Sequence, residues 1–167
     1  MLRLRLRPDL RLRGAHDIPL AALRARGIRG IVLDLDNTIV PWNQIEVPPE
    51  IADWLREAQG AGMSLCIVSN ASRSGRVARI AEAIGAQWVA PAIKPSRRAF
   101  REAMRRMGTK PEQTAVIGDQ IFTDIWGGNR AGLYTILVDP LARKEFPMTK
   151  LSRWVERLLF ARWRRGG

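Results

Sequence analysis

Ile31-Val32-Leu33-Asp34-Leu35-Asp36-Asn37-Thr38 is the stretch on which the reading of this chain turns. An apolar run ends in two carboxylates two positions apart. If the run is a β-strand, Asp34 and Asp36 leave its carboxyl end, where ligand crevices open in α/β sheets. Neighbouring carboxylates repel each other. A bound divalent cation, with a phosphate chemistry that needs a nucleophile and a proton donor, accounts for both. The competing reading is an Asp-Asn turn after a buried strand, because both residue types favour turns.

Three further apolar runs end in polar groups. Thr114-Ala115-Val116-Ile117 leads into Gly118-Asp119-Gln120-Ile121-Phe122-Thr123-Asp124, with a second pair of carboxylates five positions apart. The run from Met63 to Val68 ends in the hydroxyl of Ser69 and the amide of Asn70. The run from Gln87 to Ile93 ends in Lys94-Pro95. Acids, a hydroxyl, an amide and a lysine are the groups that hold a phosphoryl group and Mg²⁺.

Periodicity and breakers place strands at about 30–35, 63–68, 86–90, 114–118 and 133–138. Helices fall at about 19–26, 49–61, 74–84, 96–107 and 122–131, with Gly85, Gly108 and Gly132 as stops. In the second of these, Ile51, Trp54, Leu55 and Ala58 share one face. Strands alternating with helices imply an α/β fold with a doubly wound parallel sheet. A chain of 167 residues, 46% hydrophobic and with six Trp, makes one globular domain over 1–167. Residues 2–7 alternate Leu and Arg, like an edge strand or an extended basic arm.

The order and spacing of these motifs resembles the haloacid dehalogenase superfamily of aspartyl-phosphate phosphatases over residues 30–140. The surrounding text is most similar to its subclass IIIA, the YqeG-type branch, itself similar to phosphatidylglycerophosphate phosphatases. The resemblance implies a strand order of 5-4-1-2-3, counting from the strand at 30–35. It also implies roles. Asp34 is the nucleophile and Asp36 the proton donor and acceptor. Lys94 neutralises charge on Asp34 and phosphate. Ser69 donates to a phosphoryl oxygen, Thr38 orients Asp36, and Asn70 binds phosphate or shapes its loop. Mg²⁺ takes a carboxylate oxygen of Asp34, the backbone carbonyl of Asp36 and the Asp119 carboxylate, with Asp124 a direct or water-mediated ligand. Members commonly insert a cap domain after the first or second motif. Here Asp36 and Ser69 enclose 32 residues, and Asn70 and Lys94 stand 24 positions apart. One helix with its strand fills each interval, so no cap domain and an open site are expected. Trp42 either walls the substrate side or anchors its loop.

One Cys, Cys66, and one His, His16, cannot build a zinc site or an internal disulfide. No run is long and apolar enough to span a membrane, and the Leu-Arg start is no signal peptide. The expected location is cytoplasmic, or peripheral at the inner membrane face. The net charge of +12 is confined to the ends: residues 1–29 and 143–167 each carry +6, while 30–142 are neutral. A basic arm at 1–29 and a basic amphipathic helix at about 149–165 therefore suit an anionic partner. That partner is a membrane surface or RNA, and the helical stripe is alternatively core. The leading function is a phosphomonoesterase acting on phosphatidylglycerophosphate. The alternatives are a phosphatase of a soluble metabolite or nucleic acid end, and an RNA- or ribosome-associated binding protein on the same fold.

Overall fold

Two runs rich in valine and isoleucine form the middle of the sheet. Gly30–Leu33 (β2) and Thr114–Gly118 (β5) are buried at every position, as strands covered on both faces must be. The computed structural model describes residues 5–142. Within them Leu10–Leu12 (β1), Ser64–Val68 (β3), Gln87–Val89 (β4) and Tyr134–Val138 (β6) complete one sheet, ordered β1-β6-β5-β2-β3-β4. Every pairing is parallel. The expected strand order is found in β6-β5-β2-β3-β4, with β1 added outside β6. The fold is the expected α/β fold with a doubly wound parallel sheet.

Alternation along the strands assigns the helices to two layers. Ile31 and Leu33 pack with Ile51, Trp54, Leu55 and Ala58 of Pro49–Gly60 (α2) and Val77 and Ile80 of Ser74–Ala83 (α3). Val32, Cys66 and Val116 face the opposite side, against Ala99, Phe100 and Met104 of Arg97–Met107 (α4). Each such side chain, fully buried, contributes about 1.5–3 kcal/mol. Only one helix, α2, joins β2 to β3, and only α3 joins β3 to β4, so no cap interrupts the sheet.

The structure differs from the sequence reading near the amino end. An edge strand lies at Leu10–Leu12, beyond Pro8, and pairs with Ile136, Leu137 and Val138; of the stretch 2–7 only 5–7 are described, and they are not strand. Pro8 lacks the N–H a ladder needs, and the strand forms after it. The stretch expected as a basic arm is largely built into the domain. Ala15, Ile18 and Leu23 of Leu20–Ala25 (α1) and its approach are buried, and Trp54 Nε1 donates to the Ile18 carbonyl at 2.9 Å. The expected helix at 122–131 is in two parts, a π-type turn Ile121–Ile125 and the helix Trp126–Ala131 (α5). The helix expected at 149–165 lies outside the described residues. Among the described residues no helix is long and apolar enough to cross a membrane.

Candidate active site

The parallel register fixes which loops meet. Leu33 pairs with Ile117, and the Asp34 N–H donates to the Ile117 carbonyl at 2.9 Å. Asp34 and Asp119 therefore leave adjacent strand ends. On one side of β2 the chain continues to β3 and β4, and on the other lie β5 and β6. Such a reversal opens the crevice in which ligands bind.

After Asp36 the backbone turns sharply. Asn37 takes φ 63°, a left-handed value that Asn tolerates better than most residues. The N–H groups of Ile39 and Val40 both reach the Leu35 carbonyl. This turn folds Thr38 back over Asp34: its hydroxyl donates to Asp34 Oδ2 at 3.1 Å and approaches Asp119 Oδ1 at 3.5 Å. Thr38 was expected to orient Asp36; it orients Asp34 instead.

Lys94 is the centre of charge balance. Its ammonium lies 2.6 Å from Asp34 Oδ1 and 2.6 Å from Asp124 Oδ1. Burial pushes the lysine pKa down, but the charges of Asp124 and Asp34 and their hydrogen bonds outweigh it, and the net shift is upward. The loop that delivers Lys94 is held by Asn70. Its Oδ1 accepts the Lys94 N–H at 2.7 Å and its Nδ2 donates to the Lys94 carbonyl at 3.3 Å. Of the two roles weighed for Asn70, the geometry matches loop shaping. Ile93, immediately before, takes φ 52°. For a β-branched residue that is a strained conformation, of the kind that collects at functional sites.

Asp124 enters from the π-type turn. Its Oδ2 accepts the Gln120 N–H at 3.2 Å, and Gly118 makes room for it: a Cβ there would fall on the Asp124 carboxyl. Burial raises the Asp124 carboxyl to about 7, against the opposing charge of Lys94. Asp119 is pushed well up, first by burial and then by the charges of Asp34 and Asp124. One oxygen from each of Asp34, Asp119 and Asp124 lies within 4.8 Å of the others. Three acids share one ammonium, and all the donors are oxygen. A hard divalent cation fits that set by charge and by ligand type.

Asp36 stands apart from this cluster. Arg76, on α3, forks onto it: Nη2 donates to Oδ1 at 2.7 Å and Nη1 to Oδ2 at 3.1 Å. The Asn43 N–H also donates to Asp36 Oδ1, at 3.2 Å. Arg76 Nε reaches on to the Gln44 carbonyl at 2.9 Å. Sequence reading missed Arg76, because nothing marks one arginine among so many. Ser69 is buried, and its Oγ accepts the Ala71 N–H at 3.1 Å. Asp34, Asp36, Ser69, Asn70, Trp42 and Arg76 all border one cavity of about 330 Å³. Trp42 is 46% exposed and borders the same cavity, in the first of the two places weighed for it.

The haloacid dehalogenase-like hydrolase model matches residues 41–132, a stretch that holds Ser69, Lys94, Asp119 and Asp124. The chain is 38% identical over 160 residues to "Probable phosphatase YqeG" of Bacillus subtilis, covering 96% of this chain and 92% of that one. It is 27% identical over 169 residues to the chloroplastic/mitochondrial phosphatidylglycerophosphate phosphatase 1 of Arabidopsis thaliana, of which it spans 49%, about half the length. Among solved structures, an uncharacterized protein from Listeria monocytogenes serotype 4b shares the fold with a TM-score of 0.56 and 17% identity, covering 72% of this chain and 85% of that one. A HAD phosphatase from Thermococcus onnurineus does so with a TM-score of 0.51 and 20% identity, over 61% of this chain and 51% of that one.

Proposed function

This chain belongs to the haloacid dehalogenase-like hydrolases and is a phosphatase, and from that premise we propose that it is a Mg²⁺-dependent phosphomonoesterase working through a phosphorylated Asp34, with phosphatidylglycerophosphate as its substrate. The observation that carries the reading is the position of Lys94, buried between Asp34 and Asp124 at 2.6 Å from each. A buried ammonium there fixes one oxygen of Asp34 and offsets its charge at the mouth of a crevice, as a positioned nucleophile requires.

In the first step an Asp34 carboxylate oxygen attacks phosphorus in line. The bond from phosphorus to the ester oxygen breaks, and Asp36 gives its proton to the departing alkoxide. In the second step Asp36 takes a proton from water as the water oxygen attacks phosphorus. The bond from phosphorus to Asp34 breaks, and inorganic phosphate leaves. Thr38 holds the other Asp34 oxygen, so the attacking carboxylate cannot rotate freely. Ser69 lines the cavity where phosphoryl oxygens lie. Asp34, Asp119 and Asp124 would hold Mg²⁺, with the Asp36 carbonyl. When bound, the ion screens the anionic nucleophile from the anionic phosphate.

The lipid substrate is supported by similarity along the whole chain to phosphatidylglycerophosphate phosphatases and by the absence of a cap, which leaves the crevice open to a headgroup. The basic excess at the two ends suits peripheral contact with an anionic membrane face. The test is phosphate release from lipid, sugar and nucleotide monophosphates, with Asp34→Asn as the blank. Turnover by that variant should fall at least about a hundredfold. Phosphate release at the wild-type rate from folded Asp34→Asn protein would sink the covalent mechanism.

A further inference from the structure

Lys94, Ser69 and the acidic cluster account for the phosphoryl end of the cavity. They leave Arg76 without a task in binding the transferred group. Arg76 lies instead on Asp36, the proton donor, and therefore on the side from which the leaving group departs. Its side chain is 13% exposed and its fork is spent on Asp36 and the Gln44 carbonyl. Arg73, three positions earlier, borders the same cavity. It is exposed and makes no ion pair among the described residues.

We propose that Arg76, with Arg73, reads a second anionic group on the leaving-group side of the substrate, and that binding this group releases Asp36 toward the ester oxygen. The proposal rests on the phosphatase reading and names the class of substrate for that site: a phosphomonoester whose alcohol carries a phosphodiester or a carboxylate.

The physical grounds are geometric. A guanidinium presents its N–H groups in a plane, in a spacing that matches two oxygens of a carboxylate or a phosphate. Asp36 presents such a pair of oxygens to it. An incoming anion with the same spacing replaces two charge-assisted hydrogen bonds with two others, so the exchange costs little. Asp36 then has both oxygens free of Arg76 and takes up from solvent the proton it later gives to the ester oxygen, while the Asn43 N–H still holds its loop side. A substrate with an uncharged alcohol offers Arg76 nothing in exchange and leaves it on Asp36. Selection thus falls on turnover as well as on binding. Arg73, paired with no acid among the described residues, adds positive charge where the second anion enters.

The experiment compares soluble monoesters with the full-length protein and Mg²⁺. Glycerol 3-phosphate and 3-phosphoglycerate differ by a hydroxymethyl group against a carboxylate. The deacylated headgroup of phosphatidylglycerophosphate supplies a phosphodiester, and the larger of the two preferences identifies the anion. We expect kcat/KM to favour at least one anionic substrate over glycerol 3-phosphate by about ten- to a hundredfold, the scale of hydrogen bonds to a charged partner. Arg76→Gln should bring that ratio to within about twofold of one, with KM for the anionic substrate rising and kcat on glycerol 3-phosphate no longer held down by the clamp on Asp36. Arg76→Lys keeps the charge but loses the fork, and should narrow the ratio too. Arg73→Gln, at an exposed position, should lower it in part, and decides the matter if the Arg76 variants do not fold. A wild-type ratio near one, or a ratio that survives Arg76→Gln or, failing that variant, Arg73→Gln, would overturn the proposal. If the wild type releases phosphate from no monoester at all, the phosphatase reading itself falls, and this inference with it.

Discussion

Replacing Lys94 by Met keeps the length of the side chain and removes its charge. The Lys94 side chain is 3% exposed, and those of its partners are 11% for Asp34 and 1% for Asp124. Without it, Asp34, Asp119 and Asp124 are three buried acids with no cation among them. Breaking a buried pair in this way costs about 3–5 kcal/mol, because a charge is left uncompensated. A domain of this size is stable by about 5–15 kcal/mol, so the variant should still fold. With a urea slope of about 2 kcal/mol/M, its midpoint should fall by roughly 1.5–2.5 M.

The pH dependence separates a charge effect from a packing effect. Burial already raises the Asp124 carboxyl to about 7 in the wild type, and Lys94 is the main force against that rise. A carboxyl whose folded pKa exceeds its unfolded value, about 3.9, binds its proton more tightly when folded, so stability is lost as pH rises between the two. Wild type and Lys94→Met should therefore decline together up to about pH 7. Above it the Asp124 part of this loss is complete in the wild type, while in the variant, its folded pKa raised further, that part continues; Asp119, also raised by burial, adds its own loss to both proteins. Urea titrations in EDTA at pH 6 and pH 9 should give a small deficit, about 1 kcal/mol as for a lost hydrogen bond, and then the full 3–5 kcal/mol. EDTA matters because a cation on the same acids would substitute for the ammonium. A deficit equal at both pH values would refute the claim that Lys94 acts by balancing buried carboxylates.

Asp119→Ala should raise the Mg²⁺ concentration for half-maximal activity by at least about tenfold; a titration with an unchanged midpoint would place the metal elsewhere. Ile93 is 76% exposed and sits at φ 52°, so Ile93→Gly gives up little burial and relieves strain of about 1 kcal/mol or more. Its melting temperature should rise by about 2–4 °C, and no rise would mean that the loop does not impose that conformation. Cys66 is buried, and burial pushes its thiol up to about 12. Native protein at pH 8.5 should resist iodoacetamide while urea-unfolded protein reacts fully, and rapid labelling of the native form would contradict the packing under α4.

What the sequence made legible was whatever chemistry ties to a strand end. Asp34, Ser69 and Asp119 are each the first residue after a strand, and a strand has only one carboxyl end from which to deliver them; Lys94 follows an apolar run that outlasts its strand and arrives on a loop. What lay hidden depends on how loops fold back. Thr38 reads as a neighbour of Asp36, yet the helical turn over Leu35 carries it four positions along, onto Asp34, where i and i+4 share a face. Arg76 and Asp36 are 40 positions apart, and no local pattern links an arginine in the first turns of α3 to a carboxylate beyond β2. Only the packing of α3 beside the loop that carries Asn43 and Gln44 joins them. The edge strand Leu10–Leu12 was obscured because the Leu-Arg alternation runs on through Pro8, and only pairing with β6 decides which side of the proline is strand. Thr38, whose partner the sequence misjudged, and Arg76, which it did not single out, are the residues that hold the nucleophile and the proton donor from the side. Strand order can place two acids at the same crevice; their separate tasks follow from partners that come from turns, Thr38 and Lys94 on Asp34, Arg76 and Asn43 on Asp36.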